Sequence, residues 1–255
     1  MREVNRQSSF LWALPALLVA LAVVVPLAVV LMSLFGPADP VSAHLQQTVL
    51  PLYLKNSLLL MLLTAAIAGL LGVGAGWLVG ACTFPGCKTV SWLLVLPLAA
   101  PAYIVAYAYT DLLDISGPLQ VALRNWLDVA PGALVFPTIR NLPGAAVMLA
   151  LVLYPYVYLL SRNSFAGRSR VHFEAARALG RTPWQAFLSI SLPAARPAIA
   201  GGLALVMMET LADFGVVEYF SVPTFSTGIY RTWIGLGEKA AALRLAAILL
   251  IVVIA

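Results

Sequence analysis

The sequence predicts an all-α fold: a polytopic transmembrane helix bundle with five full spans and a truncated sixth. Three observations lead there. Hydrophobic residues make up 62% of the 255 and charged ones only 10%, against about 25% charged in a soluble domain. The apolar residues fall into runs of about twenty, the length that crosses a hydrocarbon core about 30 Å thick. Lys and Arg gather on alternate connections, the asymmetry that orients a membrane protein.

Residues 1–9 form a short polar tail with Arg2 and Arg6. Phe10 to Phe35 is apolar, too long for the core of a signal peptide, and shows no small-residue cleavage pattern before Pro26, so it reads as a retained first span. Gly36 to Asn56, with Asp39 and Pro40, is a polar connection on the outer side. Ser57 to Ala81 is the second span, Thr83 to Lys88 a tight turn, and Thr89 to Thr110 the third span. A longer loop runs from Asp111 to Asn141. Leu142 to Leu160 is the fourth span, and the connection over residues 161–197 leads to a fifth from Ala198 to about Val217. A segment from Glu218 to Arg244 precedes the last apolar run, Leu245 to Ala255, whose 11 residues fall short of a crossing. The expectation is a chain that continues, as a fragment or the N-terminal half of a longer permease.

The basic residues set the orientation. The tail, the 83–88 turn and the 161–197 connection hold Arg2, Arg6, Lys88, Arg162, Arg168, Arg170, Arg177, Arg181 and Arg196, nine of fifteen, against Glu3 and Glu174 alone. The opposite connections hold Lys55, Arg124, Arg140, Arg231, Lys239 and Arg244, balanced by Asp39, Asp111, Asp114, Asp128, Glu218 and Glu238. The first side, and with it the N-terminus, is expected in the cytoplasm. The net charge of +5 thus speaks of topology and not of nucleic acid.

Several features invite other chemistry and do not support it. Gly72, Gly74 and Gly76 resemble a phosphate loop but sit inside a span without a preceding strand. Ala68, Gly72, Gly76 and Gly80 repeat every four residues and make a smooth face for close helix packing. Cys82 and Cys87 lack further ligands for zinc. His44 and His172 have no His or Cys companion at metal spacing. No metal site, cofactor or enzyme activity is expected.

Two polar constellations bear on a pathway. Pro97 and Pro101, one turn apart, interrupt the third span's hydrogen-bond ladder, and Tyr103 and Tyr107 follow at the same interval. They line a pathway or form a buried packing kink. Glu209 and Asp213 lie four residues apart, on one face of the fifth span. An acid at that depth is costly and faces a cavity or a partner. They either line a pathway or hydrogen-bond between helices; a shallower fifth helix would also relieve them.

The densest basic stretch is Glu174 to Pro193, EAARALGRTPWQAFLSISLP. Phe173 to Leu179 are good helix formers, and Gly180 suits the left-handed residue that ends a helix. Thr182, Pro183 and Gln185 form a capping-box pattern for a second short helix. Glu174 has Arg177 as its helical neighbour three residues on. Glu174-Ala175-Ala176, then Gly180, Ile190 and Leu192-Pro193 have the spacing of the EAA loop of bacterial ABC importer permeases, and the chain resembles that family. Leu96 to Gln120 and Leu211 to Trp233 look like the ferric-iron permeases within it. Relatives for polyamines, thiamine, sulfate or phosphonates share parts of those segments.

The resemblance implies the MetI-like permease fold in the bacterial inner membrane, over residues 10–255. It implies an ATPase-coupling loop at 161–197 centred on Glu174, Ala175, Ala176, Arg177, Gly180, Ile190, Leu192 and Pro193. The implied partners are an ABC ATPase dimer, a periplasmic ferric-binding protein, a second permease half (fused or as a dimer) and membrane lipid. An ion-coupled carrier and a non-transporting scaffold are the competing readings; the intramembrane acids favour the first, and the EAA spacing disfavours both.

Overall fold

The computed structural model describes residues 6–36, 45, 47–130 and 138–254. Arg2, Glu3, Asp39, Pro40 and His44 lie outside the described residues. Every described element is helical. The first helix, α1 (Arg6–Met32), is followed by a 3-10 turn, Ser33–Phe35. Then come α2 (Leu50–Ala81), α3 (Cys87–Leu93), α4 (Ala102–Leu113), α5 (Pro118–Leu127), α6 (Leu142–Ala166) and α7 (Arg168–Ala178). The chain continues through α8 (Pro183–Ala186), a π turn at Phe187–Ser191, α9 (Leu192–Ala212), α10 (Gly215–Tyr219), α11 (Phe225–Tyr230) and α12 (Lys239–Ile254).

Four helical stretches are long and apolar enough to cross a membrane: Ala13–Phe35, Leu50–Ala81, Leu142–Ala166 and Pro183–Ala212. Cys87–Ala99 with Ala102–Leu127 makes a fifth only as a pair bent by 100°. The third span, expected as one kinked helix from Thr89 to Thr110, is therefore corrected to two helices across a break. The α-helix gives way to a 3-10 turn at Leu96–Ala99, Ala100 is extended, and Pro101 precedes the first residue of α4. Pro cannot donate to the ladder, and it forces its predecessor out of the helical region, so the two prolines break the helix and do not merely kink it. Two tyrosines of α6 bind groups near the break. Tyr154 donates to the Leu94 carbonyl at 2.9 Å, and Tyr158 hydroxyl reaches Ser91 Oγ at 3.2 Å.

The chain forms two compact units: Leu52–Thr227, and the two chain ends up to Pro51 and from Gly228. In the larger unit the core is built on α6. Leu149, Ala150, Val157 and Tyr158 are fully buried with Val206 of α9 and Ala68 of α2. The stripe on α2 works as its spacing predicts. A Cβ at Gly72 would sit 2.6 Å from Val157 Cβ, and one at Gly80 3.0 Å from the Arg162 carbonyl oxygen, while a Cβ at Gly74 would meet nothing. Gly72, Gly76 and Gly80 thus face α6 and let the backbones approach, and Gly74 faces away. On the other side Gly202 of α9 lies against the backbone of Val157. In the smaller unit α12 carries Arg244, which is buried and donates to the carbonyls of Ser33 at 3.2 Å and Gly36 at 2.8 Å. That pairing satisfies carbonyls left open where the first span ends. The stretch from Glu218 to Arg244 is largely helical and not a connection, and α12 begins at Lys239, six residues before the expected apolar run.

Candidate functional site: an exposed elbow and an acid-lined break

The elbow is written in local signals. Leu179 ends α7, and Gly180 follows at φ +86°, a region that costs residues with a Cβ about 1–2 kcal/mol. Arg181 N–H donates to the Ala176 carbonyl and Gly180 N–H to the Arg177 carbonyl, both at 3.1 Å. This pair of bonds is the Schellman closure of a helix end. The capping box then opens the next helix. Gln185 N–H donates to Thr182 Oγ1 at 3.3 Å, and Thr182 N–H to Gln185 Oε1 at 3.0 Å. Pro183 occupies the first turn, as expected.

One expectation is corrected. The second helix is not a short piece inside a 37-residue connection; it is the N-terminal end of a continuous 30-residue helix, Pro183–Ala212. The connection between α6 and this helix is α7 plus the elbow. Ile190 lies in the π turn, and Leu192 and Pro193 open α9. Pro193 falls in the first turn of α9, where its missing N–H is tolerated.

The elbow is pinned from below and bare above. Phe187 is buried, with ring centroids 4.9 Å from Trp77, 5.4 Å from Trp184 and 6.0 Å from Phe165. Arg177 Nη1 donates to the Arg181 carbonyl at 2.6 Å, and Arg181 Nη1 to Ser189 Oγ at 2.7 Å. The two guanidiniums tie both arms of the elbow together. Among the signature residues Ala176 is buried, Ile190, Leu192 and Pro193 are half-buried, and Glu174, Ala175, Arg177 and Gly180 are exposed. Beside them Leu179 is 87% exposed and Trp184 61%. An apolar pair flanked by Arg and Glu on a rigid elbow has the make-up of a docking surface.

The second site lies toward the other end of α6. Pro101, Glu209 and Asp213 line one cavity of about 280 Å³ with Leu98, Leu153 and Tyr156. Tyr103 and Tyr107 line another of about 430 Å³ with Phe214, Gly215, Glu218 and Tyr219. The break in the third span is thus a wall of the first cavity, and α4, which follows it, a wall of the second. Pro97 is in the 3-10 turn and does not line either.

The reading of Glu209 and Asp213 on one helix face is corrected. α9 ends at Ala212, and Asp213 has ψ 132°, outside the helix. Its carboxylate accepts from Val216 N–H at 3.0 Å and Val217 N–H at 3.2 Å, so it caps α10. Its carbonyl accepts from Ser226 Oγ at 2.6 Å. The two acids still share a cavity because the chain turns there. Sequence reasoning left Phe214 and Arg140 out of the site. Tyr219 packs against Tyr107 in a tilted pair, 3.9 Å between centroids and 52° between planes, and Arg140 sits against it. The one local hint was an aromatic residue and an acid directly after the fifth span.

No family model matches the chain. Curated relatives do. It is 27% identical over 195 residues to the molybdate/tungstate transport system permease protein WtpB of Thermococcus kodakarensis, covering 76% of this chain and 70% of that protein. It is 29% identical over 149 residues to the molybdenum transport system permease protein ModB of Escherichia coli, 58% of this chain and 62% of that one. With the Escherichia coli sulfate transport system permease protein CysT it shares 26% over 167 residues, 66% of this chain and 57% of that one. Among solved structures, a bacterial ABC transporter that imports the acidic polysaccharide alginate superimposes with a TM-score of 0.75, covering 98% of this chain and 94% of that chain at 19% identity. The chain has the ABC-importer permease fold. The same alginate transporter is also known bound to a periplasmic protein carrying an alginate pentasaccharide, with a TM-score of 0.74 at 17% identity. The names of these relatives speak of molybdate, tungstate, sulfate and alginate; none of them speaks of iron. The expectation of the fold is met, and the narrower iron expectation gains nothing from these names.

Proposed function

We propose that the chain is the membrane subunit of an ABC importer, that the 174–193 elbow docks on an ATPase dimer, and that the cargo is ferric iron. The observation that carries the cargo reading is the lining of the two cavities. Its polar groups are Glu209, Asp213 and Glu218, with Tyr103, Tyr107, Tyr156 and Tyr219, and among the described residues it contains no Lys, Arg or His. Hard trivalent iron favours carboxylate and phenolate oxygens. The segments Leu96 to Gln120 and Leu211 to Trp233, which carry the resemblance to ferric-iron permeases, supply all of this lining except Glu209 and the α6 residues. A dianion at about 8 Å from a single carboxylate meets a repulsion of about 4 kcal/mol at an effective dielectric of about 20.

A second reading is favoured by the relatives, whose names include molybdate and sulfate: an oxyanion cargo of the same transporter class. Polyamine, thiamine and phosphonate remain variants of that class. The partners in this proposal are a periplasmic ferric-binding protein, the ATPase dimer, a second permease half and lipid. The membrane is the bacterial cytoplasmic membrane, with the N-terminus and elbow inside, on the strength of the nine basic residues there. The test is uptake by proteoliposomes holding the assembled transporter, with iron-55, sulfur-35 sulfate and molybdenum-99 molybdate each presented on its binding protein. ATP-dependent entry of iron alone is expected. Entry of an oxyanion alone overturns the cargo, and entry driven by an ion gradient without ATP overturns the importer.

A further inference from the structure

Arg140 stands one residue before Asn141, which caps the start of α6. The 25 residues of α6 span about 37 Å, so Arg140 is at the end remote from the elbow. Its guanidinium carbon lies 4.9 Å from the centre of the Tyr219 ring, and its Nη2 donates to Tyr219 Oη at 3.1 Å. Tyr219 packs tilted against Tyr107, and Tyr107 meets Tyr103 edge-on at 6.4 Å and 90°. These three tyrosines and Glu218 line the 430 Å³ cavity. On its other side Arg140 borders a cavity of about 130 Å³ with Thr110, Asp114 and Gln120. An exposed cation therefore rests on the aromatic rim of a cavity whose own lining has an acid, three phenols and, among the described residues, no basic one.

A cation over a tyrosine face uses the electrostatic attraction that an incoming cation would use. It also sets the sign of the potential at the mouth. We infer that Arg140 is the charge filter of this cavity: it occupies the tyrosine rim, repels cations from it, and yields to a cargo only when displaced from Tyr219. The filter rests on the geometry alone. Which cargo it restrains rests on the proposed function, and the two are tested separately.

The filter is read by thiol labelling in the reconstituted transporter. Tyr103→Cys is placed in a background with Cys82→Ser and Cys87→Ser. Its reaction rates with a trimethylammonium and with a sulfonate methanethiosulfonate reagent are compared. Arg140→Gln is expected to raise the cationic-to-anionic rate ratio about tenfold, as removing one unit charge at about 10 Å in a partly wet cavity acts oppositely on the two reagents. Arg140→Lys, which keeps the charge and loses the planar stacking group, leaves the ratio near that of Arg140. An unchanged ratio in Arg140→Gln overturns the filter, and so does an equal rise in Arg140→Lys. Iron-55 uptake from ferric-loaded binding protein reads the cargo. A lower KM in Arg140→Gln supports a cation held back by Arg140. A shifted labelling ratio with no iron uptake by any variant keeps the filter and removes the iron.

Discussion

Replacing Gly180 by Val isolates the elbow's backbone from its contacts. A Cβ built at Gly180 has nothing within 4 Å, so the substitution causes no clash and removes no packing. What it changes is the cost of φ +86°. A left-handed conformation costs an L-residue about 1–2 kcal/mol, and strained backbone positions extend to about 3. At about 2 kcal/mol the elbow population shifts by about thirtyfold toward conformers that leave φ positive. Those conformers lose the Arg181-to-Ala176 and Gly180-to-Arg177 closure bonds and misalign the Arg177 and Arg181 ties. The assay is cargo moved per ATP hydrolysed in proteoliposomes, with ATPase association measured alongside. Val should lower this ratio several-fold. Asn, which tolerates the left-handed region, should stay near Gly. Wild-type coupling in Gly180→Val would refute the elbow as a mechanical link, as would an Asn variant that falls as far as Val.

Three further outcomes follow from the same structure. Gly72→Ala places a methyl group 2.6 Å from Val157 Cβ and should lower the unfolding temperature in detergent, at a cost of about 1–3 kcal/mol; Gly74→Ala, with open space around it, should be neutral or gain about 0.5–1 kcal/mol. Asp213→Ala should weaken uptake while ATPase binding stays intact, through loss of both the α10 cap, about 1 kcal/mol, and the charge. Asp213→Asn keeps a capping oxygen, so uptake in Asn that matches Ala assigns the defect to charge, and normal uptake in both removes Asp213 from the pathway. Thr182→Ala should cost about 1 kcal/mol by opening the capping box, read as greater protease sensitivity near residue 182 before any change in global melting.

The parts of the molecule legible in the sequence are those set by near neighbours. Gly180 and the Thr182-Pro183-Gln185 run specify the elbow because its helix-closing and capping bonds all close within five residues. The Ala68–Gly80 stripe was legible because helical spacing alone decides which glycines share a face. The α9 C-terminus was not, since Asp213 continues an apolar, helix-compatible run, and the carboxylate's bonds to the Val216 and Val217 N–H groups are formed where the chain has already left the helix. Two prolines announced a break in the third span, but its 100° depends on where α6 offers Tyr154 and Tyr158. Arg140 and Tyr219 are 79 residues apart, so no local pattern joins them.

The central claim is tested most directly by ATP hydrolysis. The transporter is assembled in vesicles with its ATPase subunits and offered binding proteins loaded with ferric iron, sulfate, molybdate, thiamine or polyamine. Stimulation by the ferric-loaded protein alone is the predicted result. Stimulation by another loaded protein in its place contradicts the cargo, and failure of the ATPase to associate with the chain at all contradicts the importer.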